Sequence, residues 1–195
     1  MLYRKMRHLI SYFASVNTCY TTMNNTMILA IGGAGCNMAK AIMRIANASW
    51  VKDAAYLFAD TDMSHLSKLS KKGYETQILQ HDSNSFPVEK FKWIENLYIL
   101  AGLGGETGGD FAGIAARTAQ SGGVENITLI ATLPFAFEGS RRLSKAKEAL
   151  NSLPDVTVRI LRNDELKERY SDINFINAFA YSDKAVLNAI ETDRP

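Results

Sequence analysis

Two glycine-rich turns, each set between an apolar run and a helical pattern, constrain this chain more than anything else in it. The first is Gly32-Gly33-Ala34-Gly35-Cys36-Asn37, directly after Met27-Ile28-Leu29-Ala30-Ile31. The second is Gly102-Leu103-Gly104-Gly105-Glu106-Thr107-Gly108-Gly109, directly after Leu97-Tyr98-Ile99-Leu100-Ala101. Glycine lets a backbone approach an anion closely and adopt positive φ. A helix opening after such a turn points free N–H groups and its positive dipole end at that anion. One such turn is more often a packing device. Two of them suggest two backbone cradles for one polyphosphate.

The rest of the chain alternates in the same way. Strands are expected at 27–31, 54–59, 76–79, 97–101, 127–132 and 156–161. Helices are expected at 37–48, from a polar 60–62 turn through Leu69, at 87–95, 110–120, 140–150 and 173–190, with a short one capped by Asn163-Asp164. Such alternation implies a mostly parallel sheet covered on both faces. Ligands of these sheets bind beyond the carboxyl ends of the strands. The turns at 32–37, 60–62, 102–109, 132–139 and 162–164 all fall at that end. No repeat or low-complexity linker interrupts the pattern, so residues 27–195 read as one domain.

Composition removes several function classes. A net charge of +2 over 195 residues gives no case for nucleic acid. The two cysteines, Cys19 and Cys36, form neither a metal pattern nor a disulfide framework, which fits a reducing, cytoplasmic setting. His8, His65 and His81 are scattered, so no histidine-based metal site or triad is expected. Residues 1–26 form a separate extension. Leu2, Met6, Leu9, Phe13 and Val16 fall at helical spacing beside Arg4, Lys5 and Arg7. A short amphipathic helix, or an over-long start with initiation near Met23 or Met27, is favoured over a secretory signal or a membrane-surface helix.

The phosphate-loop pattern Gly-x-x-x-x-Gly-Lys-Ser/Thr is absent. Gly33-Ala34-Gly35 followed by Asp60 or Asp62 suggests a dinucleotide fold, but Met38 stands where the third glycine belongs. A dinucleotide fold also gives no reason for a second glycine cradle. Five segments in order instead resemble the tubulin/FtsZ family, bacterial FtsZ above all, over about residues 27–190. Residues 32–37 resemble its Gly-Gly-Gly-Gly-Gly-Asn phosphate loop, and Asp60-Thr61-Asp62 its Asn-Thr-Asp. Residues 102–109 are similar to the tubulin signature Gly-Gly-Gly-Thr-Gly-Thr-Gly. Pro134-Phe135-Ala136-Phe137-Glu138-Gly139-Ser140-Arg141-Arg142 nearly matches Pro-Phe-Ser-Phe-Glu-Gly-x-x-Arg. Asn163-Asp164-x-Leu166 and Ala178-Phe179 with Asp183 resemble the base-reading elements.

The resemblance implies a three-layer, Rossmann-like doubly wound α/β domain that binds GTP or GDP. It implies phosphate contacts from Gly32, Gly33 and Ala34 on one loop and from Gly102, Gly104, Gly105, Glu106, Thr107 and Gly108 on the other. Asn37 would help orient base or sugar, Asp60, Thr61 and Pro134 would border the ligand, and Glu138 would accept from the ribose. Arg142 would meet phosphate or ribose, Asn163 and Asp183 would read guanine, and Phe179 would stack on it.

Departures from the family pattern matter. Glu106 and Asp110 replace glycines, so Glu106 must turn away or share a Mg²⁺ with the γ-phosphate, and Asp60 adds an acid at the rim. Phe135 and Phe137 read as core anchors, Cys36 as a small filler, and Lys145, Lys147 and Glu148 as a solvated helix face. In FtsZ and tubulin an acidic loop after the long helix activates water on a neighbouring subunit's nucleotide. Here the sequence ends at Pro195, before that loop. The expectation is a domain with no catalytic residue of its own and slow or absent hydrolysis unless a partner supplies the loop. Self-association or co-assembly with an FtsZ-like protein is the partner class implied. The rival readings are an NAD(P)-dependent oxidoreductase domain and a non-catalytic interaction module.

Overall fold

The computed structural model describes residues 25–45, 49–81, 86–165 and 178–192. Its strands are β1 (Thr26–Ile31), β2 (Ala55–Asp60), β3 (Glu75–Ile78), β4 (Asn96–Gly102), β5 (Asn126–Leu133) and β6 (Thr157–Arg162). The α-helices are α1 (Gly32–Ile45), α2 (Ser49–Asp53), α3 (Met63–Ser70), α4 (Glu106–Ser121), α5 (Ser140–Asn151) and α6 (Ala178–Thr192). Two 3₁₀ turns, Val88–Phe91 and Ala136–Glu138, complete the order. The six strands pair in parallel in the order β3-β2-β1-β4-β5-β6. The order reverses between β1 and β4, which opens a crevice at their carboxyl ends.

The central strands are nearly continuous apolar runs because both of their faces are covered. In β1, Leu29 and Ile31 join one core cluster while Ile28 and Ala30 join the other. The first cluster meets α4 and α5 through Phe111, Ala112, Ala115, Ala116 and Ala146. The second meets α1, α3 and α6 through Cys36, Ala39, Ile42, Leu66 and Val186. This two-residue alternation makes the domain three layers thick. No helix among the described residues is long and apolar enough to cross a membrane.

Strand positions match the sequence expectation to within one or two residues. Two helix starts do not. The helix expected from Asn37 begins at Gly32, and the one expected from Asp110 begins at Glu106. Low helix propensity made the glycines look like loop, but the first turns press against strand backbone. A Cβ on Gly35 would lie 2.2 Å from the Leu100 carbonyl oxygen, and one on Gly108 would lie 2.4 Å from that of Gly102. Close approach therefore overrides propensity there. The 87–95 helix is a single 3₁₀ turn. Residues 1–24 and 166–177 lie outside the described residues, as do the loop 82–85 and the amphipathic pattern of the extension.

Candidate functional site

The parallel register of β1 and β4 sets Ile31 beside Ala101, so the two glycine turns leave the sheet side by side. They touch: a Cβ on Gly102 would come within 2.7 Å of the Ala34 Cβ. Gly32 has φ of +70°, which turns the chain from β1 into α1 in one residue. The two helices then start next to one another at the rim. The first amides of a helix have no intrahelical acceptor. Among the described residues, no protein group accepts from the amides of Gly33, Ala34 or Thr107, and Gly105 caps α4 without a side-chain bond.

These turns line a cavity of about 350 Å³. Gly32, Gly33, Ala34 and Asn37 form one wall. Gly102, Gly104, Gly105, Glu106, Thr107 and Gly108 form the facing one. Pro134, Glu138, Arg142 and Asn163 close the third side. Gly33 opens onto empty space, with nothing within 4 Å of the position a Cβ would take. A Cβ on Gly104 would lie 2.9 Å from the Pro134 ring. Thr132, Leu133 and Ile31 also line the cavity and were missed from sequence. Register carries the missing signal for Thr132, which pairs with Gly102 across β4 and β5.

The third side is built by a tight set of bonds. Glu138 Oε1 accepts from the Phe135 amide at 2.8 Å, and its Oε2 accepts from Arg142 Nη1 at 2.6 Å, one helical turn away. Both Asp164 carboxylate oxygens accept from the Ala136 amide at 3.1 Å, tying the loop after β5 to the end of β6. Phe135 is fully buried and stacks on Phe137 with ring centroids 4.8 Å apart. Phe137, expected in the core, is 51% exposed. It is the middle residue of the 3₁₀ turn Ala136–Glu138.

Asp60 and Thr61 do not line the cavity. Asp60, expected as an acid at the rim, is buried beneath it. One carboxylate oxygen accepts from the amides of Thr61 (2.8 Å) and Asp62 (3.3 Å) and from the Thr107 hydroxyl (3.4 Å). The other lies 2.8 Å from His65 Nδ1. Thr61 reaches the rim indirectly, through a 2.9 Å hydroxyl contact with Thr107. Asp62 caps α3 by accepting from Ser64 and His65 amides, as the polar turn predicted. Cys36 is also buried beside Asp60. Burial first, then the Asp60 charge, pushes its thiol up to about 12, against smaller pulls from Lys40 and the Ala59 amide. Phe179 and Asp183 lie on α6, but their side chains lie outside the described residues.

Asp110, which stands at a glycine position of the family signature, bonds Lys145 of α5 at 3.3 Å. Lys145 is therefore not simply part of a solvated face. A larger cavity, about 620 Å³, lies at the opposite, amino rim between Asn96, Gln120, Asn126, Asp155 and Arg159. Size alone does not mark the site: that cavity has side-chain walls, and the neighbouring amides of Glu95, Asn96 and Asn126 all have acceptors.

Fold and crevice together define a doubly wound α/β protein with a glycine-walled site at its topological switch point. No family model matches the chain. It is 28% identical over 190 residues to the cell division protein FtsZ of Haloferax mediterranei, covering 86% of this chain and 48% of that protein. It is 25% identical over 193 residues to FtsZ of Mycoplasmopsis pulmonis, covering 86% and 47%. The chain thus spans about half the length of the curated relatives it matches.

Among solved structures, an FtsZ variant from M. jannaschii superposes with a TM-score of 0.70 at 22% identity, over 96% of this chain and 59% of that one. CetZ2 from Haloferax volcanii, a GTPγS-bound protofilament, does so with a TM-score of 0.65 at 18% identity, over 86% and 57%. Over most of its length the chain is thus similar in sequence to FtsZ proteins of the tubulin/FtsZ family, and it shares the fold of the matched part of the FtsZ and CetZ structures.

Proposed function

We propose that the 350 Å³ crevice binds the polyphosphate of GTP or GDP. The observation that carries this reading is the meeting of two uncapped helix starts, both walled by glycine, at the switch point of the sheet. Amides of Gly33 and Ala34 would hold the α and β phosphates, and those of Gly104, Gly105, Thr107 and Gly108 the β and γ end. Gly32 and Gly102 give the backbone room to make that approach. Asn37 faces the same space and would orient base or sugar. The Glu138–Arg142 pair would meet the ribose side, with Pro134 as the floor beneath it. Asn163, Phe179 and Asp183 would recognise and stack on guanine. Glu106 is exposed at the first turn of α4, where it would face the terminal phosphate or share a Mg²⁺ with it. Asp60 and Thr61 would act one step back, by holding the Thr107 hydroxyl.

Residues 27–195 would form this domain, with residues 1–26 outside it. By the resemblance, the loop that activates water follows the long helix and acts on a neighbour's nucleotide. Phosphate release is therefore expected to depend on a neighbouring subunit and to rise with protein concentration. Self-association or co-assembly with a complementary FtsZ-like protein would restore turnover. The protofilament form described for CetZ2 supports that class of partner. The dinucleotide reading gains nothing here, because the second glycine wall would be left without a phosphate.

Thermal shifts with GTP, GDP, ATP and NAD test the proposal, since a ligand stabilises by RT ln(1 + [L]/Kd). Stabilisation by guanine nucleotides alone is expected. Equal stabilisation by ATP or NAD, or none by any of them, overturns it, and the last result favours a non-catalytic interaction module. Fast phosphate release independent of protein concentration would overturn the dependence of turnover on a neighbouring subunit.

A further inference from the structure

Beneath the crevice wall, three elements bring three different metal-binding groups to one point. Cys36 comes from the second turn of α1, Asp60 from the last position of β2 and His65 from the first turn of α3. The thiol sulfur, a carboxylate oxygen and an imidazole nitrogen all lie within 4.8 Å of one another. Cys36 and Asp60 are buried, while the His65 side chain is 24% exposed and forms the way in. We propose that Cys36, Asp60 and His65 form a site for a divalent transition metal of the zinc class, separate from the crevice.

The donor set argues for the metal class. Sulfur, imidazole and carboxylate together suit Zn²⁺ or Co²⁺, whereas Mg²⁺ and Ca²⁺ take oxygen. Bonds of about 2.0–2.3 Å to such an ion set tetrahedral ligand atoms roughly 3.3–3.7 Å apart. Side-chain rotation spans the difference from the present spacing. His65 Nδ1 and Asp60 Oδ2, now 2.8 Å apart, would open by about 0.6 Å on the same geometry. Asp60 is already oriented for the task. Its second oxygen is held by the Thr61 and Asp62 amides and the Thr107 hydroxyl. Metal-ligating carboxylates are fixed by hydrogen bonds of this kind.

A plain structural pair accounts for Asp60 and His65 but not for a thiol beside them. Cys36 donates only a long bond, 3.8 Å, to the Ala30 carbonyl, and the Ala59 amide is the one backbone donor that favours its thiolate. A cation there reverses the local charge logic that keeps the thiol protonated, so binding releases its proton. Three protein ligands leave a fourth position for water on the His65 side. A bound ion would pin α1, the end of β2 and α3 together, one hydrogen bond away from Thr107.

The test is Co²⁺ titration of the full 195-residue chain after chelator treatment, followed by absorption spectroscopy. One equivalent is expected to give a thiolate-to-cobalt charge-transfer band with the visible bands of a four-coordinate site, and Zn²⁺ is expected to erase them. Cys36→Ala should abolish the charge-transfer band. Cys19→Ala should leave it intact, which separates this site from a thiol elsewhere in the chain. His65→Asn, at a partly exposed position, keeps the test decisive if the buried variant fails to fold. It should weaken Co²⁺ binding at least tenfold and remove the thermal shift given by Zn²⁺ alone. Absence of a thiolate band in the wild type, a band that survives Cys36→Ala, or unchanged affinity in His65→Asn overturns the proposal. Because no nucleotide is present in any arm, the outcome is separate from that of the GTP measurements.

Discussion

The two rims of the same sheet teach what makes a site. The amino rim holds the larger cavity, about 620 Å³, and the carboxyl rim the smaller, about 350 Å³. At the amino rim the backbone is occupied. Asn25 accepts from the amides of Glu95 and Asn96, Glu95 accepts from that of Asn126, and the Asn126 side chain donates to Asn96. At the carboxyl rim, two helices begin at glycine turns, one at Gly32 and one after Gly105, and the first amides of Gly33, Ala34 and Thr107 have no protein acceptor among the described residues. The difference follows from parallel topology. Every strand there runs toward the same edge, so the helices after β1 and β4 start together at one rim and end away from it. Volume is incidental; uncommitted donors are the resource.

Substitutions at the two rims can break or sharpen that contrast. The largest effect is expected from Gly35→Val, because even a Cβ there would overlap the Leu100 carbonyl, which backbone cannot yield. A loss of about 3 kcal/mol or more is expected in urea unfolding. In the same first turn of α1, Gly33→Ala faces open space and should change stability by less than about 1 kcal/mol. If the GTP reading holds, Gly33→Ala should still weaken GTP binding, which would separate packing glycines from cradle glycines.

Next in size is Glu138→Ala, which orphans the Phe135 amide and releases Arg142. A GTP affinity lower by roughly tenfold, about 1.4 kcal/mol, is expected by calorimetry. Tyr56→Phe, near the amino rim, removes the bond from the Tyr56 hydroxyl to the Val51 carbonyl at 2.9 Å, for about 1 kcal/mol. It also carries a pH signature. Burial pushes the Tyr56 hydroxyl from 10.0 up to about 12. The fold thus favours its protonated form, so this contribution is complete below pH 10 and disappears between about 10 and 12. The urea midpoint of Tyr56→Phe should fall less steeply over that interval than the wild type's. Smallest of all, Arg159→Ala at the amino cavity should leave GTP affinity unchanged. A tenfold loss there would move the site to the wrong end of the sheet.

Much of this architecture was legible along the chain. Continuous apolar runs such as Ile28 to Ile31, and the glycine turns after them, report local geometry, and local geometry is written in adjacent residues. Helix boundaries at Gly32 and Glu106 were not legible, because glycine's propensity points away from helix while its small size is needed against Leu100 and Gly102. Phe137 read as a core residue because it is large and apolar, yet its exposure depends on what the rest of the chain places above it. Asp60 read as a rim acid because it follows a strand; its burial depends on α3 and α4 closing over it.

By itself the sequence determined the class of fold, the rim where its polar loops gather and the donors those loops carry. These follow from side-chain size and spacing within single segments. Only the tertiary structure decided that Ala34 and Gly102, 68 positions apart, touch, and that Cys36, Asp60 and His65 converge. Such pairings depend on strand order and on which face each helix covers. Both are set by the packing of distant segments, where no local pattern records the partner.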